Sequence, residues 1–199
     1  MNDPIPDQRN RFAVIVGKVL HPYILPIPTL LAILEGLPFS EVMKWTAIII
    51  GITILPGMSC AAVFQFRGHR LYKRQPRGPL YIIGWLSELV CLGVLLRFDA
   101  PRILVACIAT SAFAFPLQWA INHWVTKVSA HAAVATGCFT ALIFLGKVVN
   151  PLVTLILFAC VILTLWARIV TRNHTLAQVL LGVLVGALPV IVVFPLVLT

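Results

Sequence analysis

The sequence predicts an all-α fold, a polytopic transmembrane bundle of six or seven helices. Of the 199 residues, 60% are hydrophobic and 11% are charged, and the mean hydropathy is +1.01. Soluble domains carry roughly 25% charged residues, so this composition indicates an integral membrane protein. The length suits one domain, and residues 1–199 are interpreted as a single membrane-embedded unit.

Seven apolar segments are the second observation, and most are near the about 20 residues with which a helix crosses a bilayer. They run Phe12–Leu34, Trp45–Phe66, Leu80–Leu96, Ile103–Ile121, Val128–Leu145, Pro151–Ala167 and Leu176–Leu198. The first segment is the least regular, because Pro22, Pro26 and Pro28 kink or break a helix. It is either a crossing or an interfacial helix followed by a short span, which leaves six crossings.

Two further features limit the class of protein. The first eleven residues include Asp3, Asp7, Arg9 and Arg11, so no cleavable signal peptide is expected. All five cysteines lie within apolar stretches and are interpreted as small buried hydrophobic residues, without a disulfide or metal-binding pattern. They are Cys60, Cys91, Cys107, Cys138 and Cys160.

Charge divides the links between the segments into two groups. If each segment crosses once, links 67–79, 122–128 and 168–175 share one face with the N-terminus. That face holds eleven lysines and arginines, namely Arg9, Arg11, Lys18, Arg67, Arg70, Lys73, Arg74, Arg77, Lys127, Arg168 and Arg172. The other face holds four, Lys44, Arg97, Arg102 and Lys147. Such an asymmetry is typical of a cytoplasmic side, but each of the three links also carries a histidine or an arginine pair.

The link after the sixth segment spaces its polar residues as an active site would. Arg168 is predicted to close one transmembrane helix, and Asn173 to cap the next. His174 is then expected in the first turn of that helix, where unpaired N–H groups favour an anion. Gln178 lies four residues further on. Its carbonyl is expected to accept a hydrogen bond from one imidazole nitrogen and so aim the other nitrogen outward.

The other two links carry complementary chemistry. Ser129 and His131 are predicted to begin the fifth segment, where a hydroxyl and helix N-terminal amides bind an anionic oxygen and an imidazole transfers a proton. Arg70 and Arg77 lie seven residues apart, and a guanidinium binds two phosphate oxygens at once without losing its charge. Lys127 is close enough to Ser129 to join a phosphate site.

Together, the three links resemble the signature of the type 2 phosphatidic acid phosphatase superfamily, which runs K-x6-R-P, P-S-G-H and S-R-x5-H-x3-D. The corresponding stretches are Arg70-x6-Arg77-Gly78, Val128-Ser129-Ala130-His131 and Ala167-Arg168-x5-His174-x3-Gln178. The resemblance extends over about residues 60–190, with the motifs in the family's order and membrane crossings between them.

The sequence departs from that signature at several positions. Gly78 replaces the proline of the first motif, and Val128 and Ala130 replace the proline and glycine of the second. Ala130 adds a methyl group where the backbone is expected to approach phosphate closely. Gln178 replaces the aspartate of the third motif, as in the glucose-6-phosphatase branch. An amide orients a histidine but does not stabilise an imidazolium by charge.

The resemblance implies a membrane-embedded phosphatase that hydrolyses a lipid phosphate or a prenyl diphosphate through a phosphohistidine. His174 would be the nucleophile, His131 the proton donor and later the base, and Gln178 the residue that orients His174. The phosphate would be bound by Arg70, Arg77, Lys127, Ser129 and Arg168. No metal, other cofactor or nucleic acid is expected. The expected partners are the substrate, membrane lipid, and either a second copy of the chain or a larger membrane complex.

Three further sequence features predict structural roles. Glu88 is the one acid deep in an apolar segment, and is interpreted as a hydrogen-bonding group inside the bundle. Gly182 and Gly186 form a small-xxx-small pair, which predicts close helix packing. His21, beside Pro22, is interpreted as an interface or kink residue.

Two other classes of function stay open. A catalytically silent relative would bind lipid or serve as a structural subunit of a membrane complex, and the departures at Ala130 and Gln178 favour it. A small transporter would need charged groups at discontinuous helices near the midplane, whereas the polar groups here gather at helix ends. The expected location is a bacterial or archaeal cell membrane. The charge count favours a site on its cytoplasmic face, whereas the resemblance favours the outer face, where many bacterial members of the superfamily act.

Overall fold

The computed structural model describes residues 10–68 and 78–199. Within those ranges there are eight helices and no strand. The helices are α1 (Arg11–Val19), α2 (Pro26–Ile33), α3 (Phe39–Phe66), α4 (Gly78–Arg97), α5 (Arg102–Val125), α6 (Ala130–Phe144), α7 (Pro151–Val170) and α8 (Leu176–Leu198). The prediction of an all-α helical bundle is confirmed.

Five of these helices, α3, α4, α5, α7 and α8, are long and apolar enough to cross a membrane. The apolar helix α6 is shorter, with 15 residues. Large apolar side chains are exposed on the outer faces, such as Leu152, Leu155 and Ile162 on α7. Hydrocarbon stabilises such a surface and water does not. The chain is therefore an integral membrane protein.

The first apolar segment is broken into two short helices. α1 and α2 are separated by residues 20–25, and Pro22 and Pro26 lie within and directly after this break. The expectation that the prolines interrupt the segment is confirmed. α1 packs its buried face against Ala167 near the end of α7. Its opposite face exposes the apolar side chains of Phe12, Ile15 and Val19.

α3 begins earlier than its predicted segment. The helix begins at Phe39 rather than Trp45, because a polar turn that hydropathy does not detect is already helical. In that turn Glu41 accepts hydrogen bonds from Lys44 Nζ at 2.7 Å and Trp45 Nε1 at 2.9 Å. Further along, Ile50–Ile54 form a π-helical stretch just before Pro56, whose nitrogen has no hydrogen to donate to the α-helical ladder.

Glycines allow α8 to lie directly against α6. A Cβ added at Gly182 would lie 2.6 Å from the carbonyl oxygen of Ser129, and one added at Gly186 would overlap the carbonyl oxygen of Ala133. Both distances are below van der Waals contact, so only glycine fits without a shift of backbone. The predicted close packing at the small-xxx-small pair is confirmed.

The helix ends define two ends of the bundle. At the first, the end of α5, the start of α6, the end of α7 and the start of α8 come together, and this is called the site end. At the opposite end, Lys147 Nζ donates to the carbonyl of Glu35 at 3.1 Å, joining two other links. The prediction that links 122–128 and 168–175 share a face is confirmed. Most of link 67–79 lies outside the described residues.

Glu88 lies on α4, away from both ends of the bundle, and its side chain faces α5. Its side chain is buried and forms a hydrogen bond with Ser111. Its second oxygen, Oε2, has no hydrogen-bond partner among the described residues. The interpretation of Glu88 as a hydrogen-bonding group inside the bundle is confirmed.

Candidate active site

The amide of Gln178 holds the ring of His174. His174 Nδ1 lies 3.2 Å from Gln178 Oε1, which also accepts the backbone N–H of Thr175 at 3.3 Å. A backbone N–H only donates, so it identifies this amide atom as the oxygen. Nδ1 therefore carries the imidazole proton, and Nε2 is the basic nitrogen of the ring. The predicted contact between His174 and Gln178 is present.

The cap of α8 differs from the prediction. The N-cap residue is Thr175, whose hydroxyl accepts from Gln178 N at 3.4 Å, and the two residues form a capping box. Asn173 is not the cap, because its side-chain amide donates to Thr171 Oγ1 at 2.7 Å. The T-x-x-Q spacing of the box is visible in the sequence and is the signal that the prediction missed.

The position of His174 changes accordingly. It precedes α8 and does not lie in its first turn, and its backbone N–H donates to the carbonyl of Arg168 at 3.2 Å. The next N–H, that of Thr175, donates to Gln178. The backbone N–H groups of His174 and Thr175 are therefore used within the protein and do not bind an anion.

Gln178 also joins the three chain segments that meet at the site end. Its Nε2 donates to Thr126 Oγ1 at 3.2 Å, directly after the π-helical turn Ile121–Val125 that ends α5. Its backbone carbonyl accepts from Ser129 N at 3.2 Å, at the start of α6. The residue that orients His174 is thus fixed in turn by α5 and α6.

Ser129 and Lys127, both predicted phosphate ligands, are buried beside this junction. Ser129 lies at the N-terminus of α6, as predicted, and is its N-cap, with its Oγ accepting from Ala132 N at 3.4 Å. The exposed fractions are 0% for Ser129 and 1% for Lys127. With its oxygen used as a cap, the hydroxyl proton of Ser129 is what it can offer to a ligand. Lys127 brings a buried positive charge.

Arg168 connects the two histidines. Its Nη1 lies 3.5 Å from His131 Nε2, and its backbone carbonyl accepts from His174 N. The guanidinium is buried, and its Nε has no hydrogen-bond partner among the described residues. A buried cation with an unused donor indicates a place for an anion, because buried polar groups are otherwise paired.

Two residues of the first segment join the site, although the sequence did not place them there. The carbonyl oxygen of Gly17 lies 3.2 Å from His131 Nε2, and a Cβ at Gly17 would overlap the guanidinium of Arg168. The ring of His21 meets that of His131 edge-on, with centroids 5.2 Å apart. Burial, reinforced by the positive charge of Arg168, lowers the pKa of His21. The available signal is a histidine at a proline break, which the sequence alone identifies only as an interface or kink residue.

The remaining predicted ligands and the acids lie elsewhere. Arg70 and Arg77 fall outside the described residues. Among the described acids, Glu35 and Asp99 lie in links at the opposite end, and Glu88 lies within α4 and faces α5. Among the residues that the structure describes, no three His, Cys, Asp or Glu side chains gather to bind a metal. The described part of the site is therefore formed by cations, histidines and neutral polar groups.

Comparisons of the chain with protein-family models, with curated proteins and with solved structures give no match. Assignment of a function therefore depends on the three motifs and on the geometry of the site end. Four residues of those motifs are joined by direct contacts, namely His131, Arg168, His174 and Gln178.

Proposed function

We propose that this protein is a membrane-embedded phosphatase that hydrolyses a lipid phosphate or a prenyl diphosphate through a phosphohistidine, as its resemblance to the type 2 phosphatidic acid phosphatases implies. The observation that carries the proposal is Arg168. Its guanidinium is buried, its Nε has no hydrogen-bond partner among the described residues, and it contacts His131 through its side chain and His174 through its backbone. A phosphate group satisfies such a cation, and the two imidazoles supply a nucleophile and a proton.

The first step forms the covalent intermediate. His174 Nε2, which carries the lone pair because Nδ1 donates to Gln178, attacks phosphorus in line with the leaving oxygen. The N–P bond forms as the P–O bond to the lipid breaks, and His131 protonates the lipid oxygen. Arg168 stabilises the charge on the equatorial oxygens, together with Ser129, Lys127 and the predicted ligands Arg70 and Arg77.

The second step releases phosphate. Water attacks phosphorus, gives its proton to His131, and the N–P bond breaks to restore neutral His174. These two steps use side chains of this chain alone. A chelator such as EDTA is accordingly expected to leave the rate unchanged.

Purified protein in detergent or in lipid vesicles tests the proposal. Release of inorganic phosphate is measured from a panel of phosphatidate, acyl phosphate and prenyl diphosphate substrates, with His174→Ala as the inactive control. Release that His174→Ala removes supports the phosphatase. If the wild-type protein binds these lipids but releases no phosphate, the silent, lipid-binding relative is the better assignment, and the amide at Gln178 is the feature that favours it.

We further propose that the site end faces the cytoplasm of a bacterial or archaeal cell. Without the proposed ligands Arg70, Arg77, Lys127 and Arg168, the motif face still holds seven lysines and arginines against four. In a background free of the five native cysteines, a cysteine at exposed Arg172 should resist an impermeant thiol reagent in intact cells. One at Val149, 84% exposed at the opposite end, should react. The reverse pattern would place the site outside.

A further inference from the structure

His131 Nε2 lies between two groups that require opposite protonation of this nitrogen. The carbonyl oxygen of Gly17, at 3.2 Å, can only accept a hydrogen bond, whereas Arg168 Nη1, at 3.5 Å, can only donate one. A hydrogen bond between nitrogen and oxygen is typically 2.7–3.2 Å long, and interactions at about 3.5 Å are weak. Of these two groups, the carbonyl is the closer hydrogen-bond partner, which favours the proton on Nε2.

The break in the first segment explains why this carbonyl is available. In an α-helix the last four carbonyls have no N–H partner further along the chain. α1 ends at Val19, and Gly17 is within its last turn. If the helix continued through residues 20–25, the N–H of His21 would take the Gly17 oxygen. Because the chain turns there, the oxygen is directed to His131, and the negative end of the α1 dipole lies beside the imidazole.

The missing side chain of Gly17 is also required, because it makes room for Arg168. A Cβ at this position would overlap Arg168, which lies against the backbone of α1. α1 is fixed there by Ala13 and Val16, which pack against Ala167, the residue that precedes Arg168 in α7. One residue therefore holds His131 through its oxygen and makes room for the guanidinium through its missing side chain.

We infer that Gly17 is a positioning residue of the active site, whose carbonyl holds His131 in the Nε2–H tautomer, so that Nδ1 is the nitrogen that transfers the proton. This role rests on the proposed function. In the first step, doubly protonated His131 gives the Nδ1 proton to the leaving lipid oxygen. In the second, Nδ1 takes a proton from the attacking water. The proton on Nε2 stays hydrogen-bonded to the Gly17 carbonyl throughout, so the ring does not turn between the steps.

Nuclear magnetic resonance of ¹⁵N-histidine-labelled wild-type protein tests the tautomer without any assay of activity. At a pH where the imidazole is neutral, the proton of His131 should reside on Nε2, and the signals are assigned by their loss in His131→Gln. A proton on Nδ1 would mean that Nε2 accepts from Arg168 and would overturn the inference. Because no turnover is measured, this result stands or falls separately from the phosphatase proposal.

Substitution of Gly17 tests the positioning role. Gly17→Ala should lower kcat/KM roughly 100-fold by displacing two groups from the phosphate, and should abolish the tautomer preference in the same spectra. The matched control is Gly93→Ala in α4, where an added Cβ meets no neighbouring atom, and it should keep wild-type activity and the wild-type His131 signal. Folding is checked by circular dichroism. A folded Gly17→Ala protein with normal activity and an unchanged tautomer would contradict the inference.

Discussion

His174 and His131 are held by different kinds of support at the same end of the bundle. His174 is held by a side chain four residues away in its own chain segment, through Nδ1 and Gln178. His131 is held by a backbone carbonyl more than a hundred residues away, through Nε2 and Gly17. The two supports favour opposite tautomers, with the basic nitrogen at Nε2 in His174 and at Nδ1 in His131.

The difference agrees with the proposed roles, in which His174 is the nucleophile and His131 donates and accepts the proton. A nucleophile needs one nitrogen with a lone pair aimed at phosphorus, and a local amide provides this without adding charge. A proton donor and acceptor must carry a positive charge for part of the cycle. The negative end of α1 stabilises that charge, although Arg168 lies nearby. Substitutions of the two histidines and of the residues that support His174 test this division.

The largest effect is expected at His174. His174→Ala removes the group that forms the bond to phosphorus, so phosphate release should fall by at least about 10³-fold, to the level without enzyme. Rates are measured with the best substrate of the panel, and thermal unfolding in detergent checks that the protein is folded. An unchanged rate in the folded variant would exclude the phosphohistidine.

A smaller but still severe loss is expected at His131. His131→Ala should reduce the rate by about 10²- to 10⁴-fold, the usual range for a general acid or base. The loss should depend on the leaving group, because an activated aryl phosphate needs no proton and a lipid alcohol does. Equal losses for both substrates would show that His131 does not protonate the leaving oxygen.

The sequence predicted the local support and not the distant one, and the reason is physical. The i to i+4 spacing of His174 and Gln178 brings the two side chains together through one turn of chain. The contact of Gly17 with His131 depends on how α1 crosses the end of α7. No spacing within the sequence specifies that crossing, which depends on packing between Ala13, Val16 and Ala167.

The same distinction applies to the fold. Hydropathy predicted the long spans and the glycine pair predicted the packing of α8 on α6, because both are patterns within one segment. The prolines predicted that the first segment is interrupted, but not that α1 would lie against Arg168. Asn173 is a favourable N-cap residue taken singly, whereas the observed cap of α8 is identified by the spacing of a pair, Thr175 and Gln178.

Two substitutions at Gln178 test the support of His174 directly. Gln178→Leu has a similar size but no polar atoms, so His174 loses its partner and the rate should fall by roughly 10²-fold. Gln178→Glu keeps an acceptor at the same reach and should preserve or raise the rate, since a carboxylate stabilises an imidazolium. The acid limb of its pH profile should move to higher pH, because the negative charge favours the protonated ring. Equal rates for the Leu and Glu variants would contradict an orienting role.

The smallest effect is expected at Thr175, which supports His174 only indirectly, through its hydrogen bonds with Gln178. Thr175→Ala removes the hydroxyl that caps α8 and should destabilise the protein by about 1 kcal/mol, as the loss of an N-cap does. It leaves the bond between Gln178 Oε1 and His174 Nδ1 in place, so the rate should fall only a few-fold. Thr175→Ser keeps the hydroxyl and is the matched control, with stability and rate near wild type. Asn173→Ala should be nearly neutral in thermal unfolding, because the Asn173 amide bonds Thr171 and not the end of α8. If Asn173→Ala were the more destabilising of the two alanine variants, the cap would belong to Asn173 after all, and His174 would lie inside the first turn of the helix.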